Sequence, residues 1–496
     1  STDVAVKTTL ENGLYGWEVA SMSNYQVESE ASGSATGFPA DGSGKIKPTE
    51  GTYYYFNRQG WGNKDSELKT TTSKELPTGT YYAVIDYKAA DYSNHNNADN
   101  NGTTIGIKVN DAASNLLGEN PAVRRTYSIA NNGSNPGNDT YMVNAGWNEL
   151  GTMFTVTEPT TVTISLVQNM KNSGRSDIAW DNLRLYKVEN VSESNPLDLT
   201  GYIASANGSC VPGWTTSGTV GTNSGQHWDG NSGTKYIEPC NWGATGWESS
   251  ISQAIIVPKG QYILTATGRS SVNATMTLTA NGQSVTFPSN GDTGGTIATD
   301  GTEWENVAAG IEAGKSFAND DKGRGWTYGK VTLSIIDGKL NITAKSSSTA
   351  LHEWCSISDF KLLYVSTSVG TDVLKALLQE KLTAAQACVA NCPKGIAAIV
   401  NAAITQGNNA QDTEESLNAA ITALTQAIAL AEQAVPATEA FKALMATCQG
   451  YANHSSAEES VKQAFQKAMT DAQAALDAAT MVEAIQEATQ TLQAAC

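Results

Sequence analysis

Aromatic side chains set among amides and carboxylates recur along this 496-residue chain. That pairing suits one chemistry above others, the recognition of sugars. The C–H face of a pyranose packs on an electron-rich ring, and its hydroxyls need planar amide or carboxylate partners. The stretch YYYFNRQGWGN (53–63) is the densest case. Neighbours in a strand point to opposite faces. Tyr55 is therefore assigned to the core, and Tyr54 and Phe56 to the opposite, exposed face. Trp61 sits between glycines on a loop and serves either ligand contact or local packing. The later stretch GTKYIEPCNWGATGW (233–247) answers to it, with Ile237 in the core and Tyr236 and Glu238 facing out. Trp242 and Trp247 follow on its glycine-rich loop. Unmatched polar insertions add Tyr92 and His95 (88–103), Trp228 (224–233) and Arg324 (316–326). Loops on a rigid scaffold commonly carry function.

Other chemistries find less support. Glycoside hydrolysis needs two carboxylates about 5–10 Å apart, and Glu238, Glu248, Asp320 and Asp321 can be nominated only as acids in an acidic chain. Gly-x-Ser-x-Gly, His-Glu-x-x-His and phosphate-loop motifs are missing, and the chain has 4 histidines. No catalytic residue is assigned, and no cofactor is required. Asp181 and Asp359 open the last strand of each half; either could supply hard oxygen to a structural calcium or cap a turn. With 31 Lys+Arg against 49 Asp+Glu, the net charge of −18 argues against nucleic acid or anionic membrane as partner. No run of about 20 apolar residues offers a transmembrane segment. The opening STDVAVKTTL lacks a signal peptide's features, which fits a mature secreted or a cytosolic chain. The Gly/Ser/Thr/Asn-rich, charge-poor composition favours export. The 7 cysteines leave at least one unpaired within the chain. They read as small buried hydrophobes or an isolated bridge.

These residues need a scaffold, and composition shows it. Before residue 368, short Val/Ile/Thr/Tyr runs are punctuated by Gly, Asn, Pro and Asp, the pattern of many strands and turns. The pattern occurs twice. LYGW (14–17) matches VPGW (211–214), LPTGTYYAVIDYKA (76–89) matches VPKGQYILTATGRS (257–270), and TTIGIKVN (103–110) matches ATMTLTAN (274–281). GWNELGTMFTV (146–156) and DNLRLYKV (181–188) match GWTYGKVTLSI (325–335) and DFKLLYVS (359–366). A duplicated domain follows. The expectation is two antiparallel β-sandwiches of jelly-roll type, 1–189 and 197–367, since no helical periods supply the crossovers of a parallel sheet.

Beyond residue 368 alanine dominates. Leu417, Ile421, Leu424 and Ile428 recur at helical steps. Pro393 and Pro436 stand where helices would start. Two three-helix repeats are expected, 369–434 and 435–496, forming an all-α tail.

The pattern GTKYIE…W…ISQAIIVPKGQYILTATGRS…GW…ISDFKLLYV resembles carbohydrate-binding-module-like jelly rolls of Bacteroidetes surface and secreted proteins. The second half carries it through Tyr236, Glu238, Trp242, Gln253, Pro258, Gly260, Tyr262, Asp359, Leu363 and Tyr364. The first half keeps Pro77, Gly79, Tyr81, Asp181, Leu185 and Tyr186 and departs at Phe56, where the glutamate would be. The tail is similar to FIVAR-like three-helix repeats found beside such modules. The resemblance implies extracellular or cell-surface, non-catalytic recognition of a polysaccharide or glycoprotein glycan, with structural calcium and a tail acting as spacer or docking element. Adhesin-like binding of a protein partner, or an accessory part of a glycoside hydrolase, stands as the alternative.

Overall fold

The chain's structure is a computed structural model. It describes residues 2–3, 17–19, 25–29, 48–59, 65–72, 74–91, 103–110, 124–129, 147–170, 176–208, 213–220, 236–289 and 327–496. They fall into two units, 1–367 and 368–496.

In the first unit the alternating runs become strands whose inward side chains build two cores. Lys339–Ser348 shows the rule, with buried and more exposed residues alternating along its length. In the first half, one sheet runs in the order β3 (Tyr25–Ser29), β4 (Tyr53–Gln59), β11 (Ser176–Lys187), β6 (Gly79–Asp91), β9 (Asn148–Val156), with β1 (Thr2–Asp3) on β11. The facing sheet runs β2 (Trp17–Val19), β5 (Asp65–Thr71), β10 (Thr163–Met170), β7 (Thr103–Val109), β8 (Arg124–Ile129). The second half repeats this plan. Its sheets run β12 (Leu197–Asp198), β20 (Cys355–Ser366), β15 (Gly260–Ser270), β18 (Thr327–Ile335) and β13 (Thr215–Ser217), β14 (Trp247–Ile256), β19 (Lys339–Ser348), β16 (Ala274–Ala280), β17 (Gln283–Phe287). All pairs are antiparallel, and the matched stretches occupy matched strands: β6 and β15, β7 and β16, β9 and β18, β11 and β20. Two related β-sandwiches are present, as the duplication predicts.

The shared Pro-x-Gly-x-Tyr stretch has a structural reason. Tyr81 Oη donates to the Pro77 carbonyl at 2.7 Å, and Tyr262 Oη donates to the Pro258 carbonyl at 2.5 Å. Each hydroxyl closes the turn that launches its strand while its ring enters the core.

The two sandwiches share packing. Tyr82, on β6 of the first, belongs to the apolar core of the second and stacks on Tyr202 with centroids 6.1 Å apart. Met153 N–H donates to Tyr202 Oη at 2.6 Å, and Asn207 N–H donates to Asn148 Oδ1 at 3.0 Å. Beside this contact Arg184 bridges Asp86 and Glu149, each at 2.9 Å. Burial and then the Asp198 charge push the Glu149 carboxyl up to about 7 from 4.5, against the pull of Arg184. Asp86 adds to the rise and Lys361 opposes it. The folded chain therefore holds a proton that the unfolded chain has already lost, so stability falls as pH rises from about 4.5 to 7. The loss is at most about 3 kcal/mol. Glu149→Gln should flatten this slope in urea unfolding measured across that window; an unchanged slope would refute the assignment.

The second unit holds α1 (Thr371–Val389), α2 (Lys394–Asn408), α3 (Glu414–Ala452), α4 (Glu459–Ala478) and α5 (Val482–Ala495). Thr413 caps α3, accepting from Ser416 N–H at 3.2 Å. Pro393 precedes α2 as expected, but Pro436 does not start a helix. It lies inside α3, a single helix of 39 residues. Leu417, Ala420 and Leu424 on one side of the proline, and Phe441 and Cys448 on the other, are buried. Packing of both stretches outweighs the roughly 3 kcal/mol a helical proline costs. The 434/435 boundary thus falls within one helix, shared by two three-helix groupings. Cys448 and Cys496 form a disulfide. Among the described residues no helix is long and apolar enough to cross a membrane.

Candidate functional site

The chain from Tyr236 to Trp247 begins as a strand would but cannot continue as one. Ile237 exchanges both backbone hydrogen bonds with Ile357 at 2.9 Å, an isolated antiparallel bridge. Pro239 then removes a ladder donor. Cys240 N–H turns back to the Glu238 carbonyl at 2.9 Å, and Ala244 N–H to the Asn241 carbonyl at 3.2 Å. The segment leaves the sheet as a loop until Trp247 re-enters the core at the head of β14.

Trp242 stands out on that loop, 56% exposed. Its indole stacks on the His352 ring with centroids 5.0 Å apart and planes inclined by 29°. Its carbonyl accepts from His352 N–H at 3.1 Å. His352 belongs to the turn between β19 and β20 and has φ 63°, a left-handed conformation uncommon outside glycine but one in which histidine is enriched. Leu351 beside it is exposed, as is Val272 on the turn between β15 and β16. Those two turns are bound together: Ser271 N–H donates to the Trp354 carbonyl at 2.9 Å, and Trp354 N–H to Ser271 Oγ at 2.8 Å.

Beneath this end lies a charged and hydrogen-bonded support. The buried Glu353 carboxylate accepts from Ser271 Oγ, from Asn273 N–H at 3.1 Å and from Asn273 Nδ2 at 3.0 Å. Burial works against its charge, but these hydrogen bonds outweigh it and hold the carboxyl below the ordinary value. The Arg269 guanidinium is fully buried, 5.0 Å from the Tyr236 ring centroid and 5.4 Å from that of Trp354. The result is an exposed indole–imidazole stack with the amides of Asn241 and Asn273 on adjoining loops. Such a surface can pack on an apolar ring face and exchange hydrogen bonds at its rim.

The structure divides the residues nominated from sequence. Trp242 is exposed as expected, and Glu238 is half-buried on the same loop. Tyr54 and Phe56, expected on an exposed face, are 0% and 2% exposed. Strand β4 lies between β3 and β11 and is covered on both faces, so Tyr54, Tyr55 and Phe56 are all core residues. Tyr54 meets Trp147 edge-on with centroids 6.3 Å apart. Tyr236, expected to face out, lies buried beside Arg269, and Trp247 packs in the second core. Trp61, Tyr92, His95, Trp228 and Arg324 lie outside the described residues.

The structure gives each of the two aspartates protein partners. Asp181 Oδ2 accepts from Thr49 N–H at 2.7 Å, Thr49 Oγ1 at 3.0 Å and Glu50 N–H at 3.2 Å. Its Oδ1 accepts from Asn182 N–H at 2.8 Å, so the carboxylate caps a turn. Burial pushes this carboxyl up to about 6, with the same hydrogen bonds pulling the other way. Asp359 has φ 55° and lies 3.9 Å from Lys361 Nζ, at an irregularity in the β15–β20 register. Among the described residues no three His, Cys, Asp or Glu side chains converge as a metal site.

His352, Leu351 and Val272 were not nominated from sequence. The Leu-His-Glu-Trp run after the serine-rich end of β19 was the available signal. Its weight depends on Trp242 arriving from a distant part of the chain.

No family model matches the sequence, and no curated protein matches it. Among solved structures, the chain is similar to TmCBM61 in complex with β-1,4-galactotriose, at 15% identity over 38% of this chain and 100% of that one, TM-score 0.24. It is similar to the CBM22-1–CBM22-2 tandem domain of Paenibacillus barcinonensis Xyn10C at 10% identity, covering 73% of this chain and 98% of that one, TM-score 0.22. The K1 cleaved adhesin domain of Lys-gingipain from Porphyromonas gingivalis W83 shares 12% identity over 37% of this chain and 98% of that one, TM-score 0.23. TM-scores of this size carry no argument about function.

Proposed function

We propose that this chain is a non-catalytic glycan-binding protein whose second sandwich contacts sugar at the Trp242–His352 end. One observation carries the reading: Trp242 is 56% exposed while its back is stacked on His352. A core tryptophan would bury that face, and a chance surface residue would lack the bracing from three loops. Polysaccharide or glycoprotein glycan is the partner class, because a flat aromatic rimmed by amides suits a ring with one apolar face and many hydroxyls. The extracellular or cell-surface setting belongs to the same reading, supported by the Cys448–Cys496 disulfide, since such bonds persist in oxidising compartments. The helical unit acts as spacer or docking element.

The test is a glycan array followed by affinity gels with soluble polysaccharides, run on the whole chain. Wild type should be retained by at least one glycan. Trp242→Ala should weaken that binding tenfold or more, about 1.4 kcal/mol, with unaltered tryptophan unfolding. His352→Ala should cost about threefold, because it removes the support and leaves the indole. Retention unchanged in Trp242→Ala would move the site elsewhere. No glycan retained by wild type would favour the protein-binding alternative.

A further inference from the structure

We infer that Cys240 and Cys355 are disulfide partners, a covalent clamp between the Trp242 loop and the first residue of β20. The backbone brings them together. Ile237 and Ile357 are bridged antiparallel. That bridge brings Cys240, three residues further along the loop, near Cys355, two residues back at the head of β20. Contacts agree with that placement. The Cys355 backbone amide is near enough to the Cys240 thiol to favour its charged form, which places that sulfur beside the other cysteine's own backbone. Ser346 Oγ donates to the Pro239 carbonyl and also interacts with the Cys355 thiol, so both sides of the pair meet around one serine. Cys355 is fully buried and Cys240 half-buried; neither is bonded to another sulfur here.

A second observation concerns the environment. The same chain carries a disulfide between Cys448 and Cys496. Conditions that close one bond are available to this pair. Burial pushes the Cys240 thiol up to about 11 and the Cys355 thiol upward as well, so folded thiolate is scarce at neutral pH. The exchange therefore takes place while the chain is folding. Two Sγ–H bonds break and one Sγ–Sγ bond forms. The two protons and two electrons pass to a disulfide oxidant, such as oxidised glutathione, whose S–S bond breaks to give its two thiols.

Cys240 stands two residues before Trp242, so the bond would pin the loop that presents the indole. The pairing itself is independent of the glycan reading and is tested without any sugar. The full chain, folded with a glutathione redox pair, is acid-quenched, denatured, alkylated without reductant, digested and mapped by mass. The expected result is a peptide joining Cys240 to Cys355 beside the peptide joining Cys448 to Cys496. Both thiols alkylated while the second peptide is joined would overturn the inference. So would either cysteine joined to Cys210, which lies outside the described residues. A second measurement reads the clamp. Phosphine reductant should speed chymotryptic cleavage at Trp242 several-fold in wild type and leave Cys240→Ser unchanged. Equal wild-type rates with and without reductant would show no clamp.

Discussion

Tyr82→Ala should lower the unfolding free energy of the β unit by about 3–5 kcal/mol, the usual cost of emptying a fully buried aromatic site. The residue lies on a strand of the first sandwich yet packs in the core of the second, against Tyr202. Two glycines make that approach close. A Cβ at Gly151 would lie 2.2 Å from Tyr82 Oη, and one at Gly201 would lie 2.7 Å from the backbone nitrogen of Gly151. The ring thus fills a seam where two glycine backbones approach closely. Tyr82→Phe makes the contrast. The Tyr82 hydroxyl is buried without a hydrogen-bond partner among the described residues. Its removal should change stability by less than about 1 kcal/mol, or raise it. All 11 tryptophans fall between residues 17 and 354, so tryptophan fluorescence in urea follows the β unit alone. Equal midpoints for wild type and Tyr82→Ala would refute a shared core. A phenylalanine variant as damaged as the alanine one would refute the unpaired hydroxyl.

Breaking the Cys448–Cys496 bond should cost the helical unit about 4 kcal/mol. That figure follows from the loop entropy released in the unfolded chain by a cross-link of sequence separation 48. The bond ties the end of the last helix to α3, the helix common to both groupings. Cys448→Ser and Cys496→Ser should both lower the midpoint of the helical circular dichroism transition. The former should lower it further, because Cys448 is buried and a hydroxyl there lacks the thiol's apolar packing. Reductant should bring wild type to the Cys496→Ser midpoint. A wild-type midpoint insensitive to reductant would show that the bond adds nothing.

Much of the scaffold was legible in the chain. Periodicity of two, turn residues and the six matched stretches led to paired sandwiches, and the matched strands occupy the same places in both halves. The Pro-x-Gly-x-Tyr match was legible because it is local: the hydroxyl and its carbonyl acceptor are four residues apart. The helical seam around Leu417, Ile421 and Leu424 was legible for the same reason. The site was legible only in part. Trp242 could be nominated from its glycine-flanked loop, whereas its neighbour His352 is remote in sequence and carries no local mark.

Sequence by itself therefore determined which residues share a strand face, where turns begin and that the β domain is duplicated, since alternation and turn chemistry act over a few residues. Only the tertiary structure decided which faces are covered. Alternation separates Tyr54 and Phe56 from Tyr55 but is silent on whether the second face meets water, and here neighbouring elements bury both. The same long-range packing carries α3 through Pro436, buries Trp247 and leaves Trp242 standing on the ring of His352. Burial is a property of what arrives from elsewhere in the chain, and no local pattern records it.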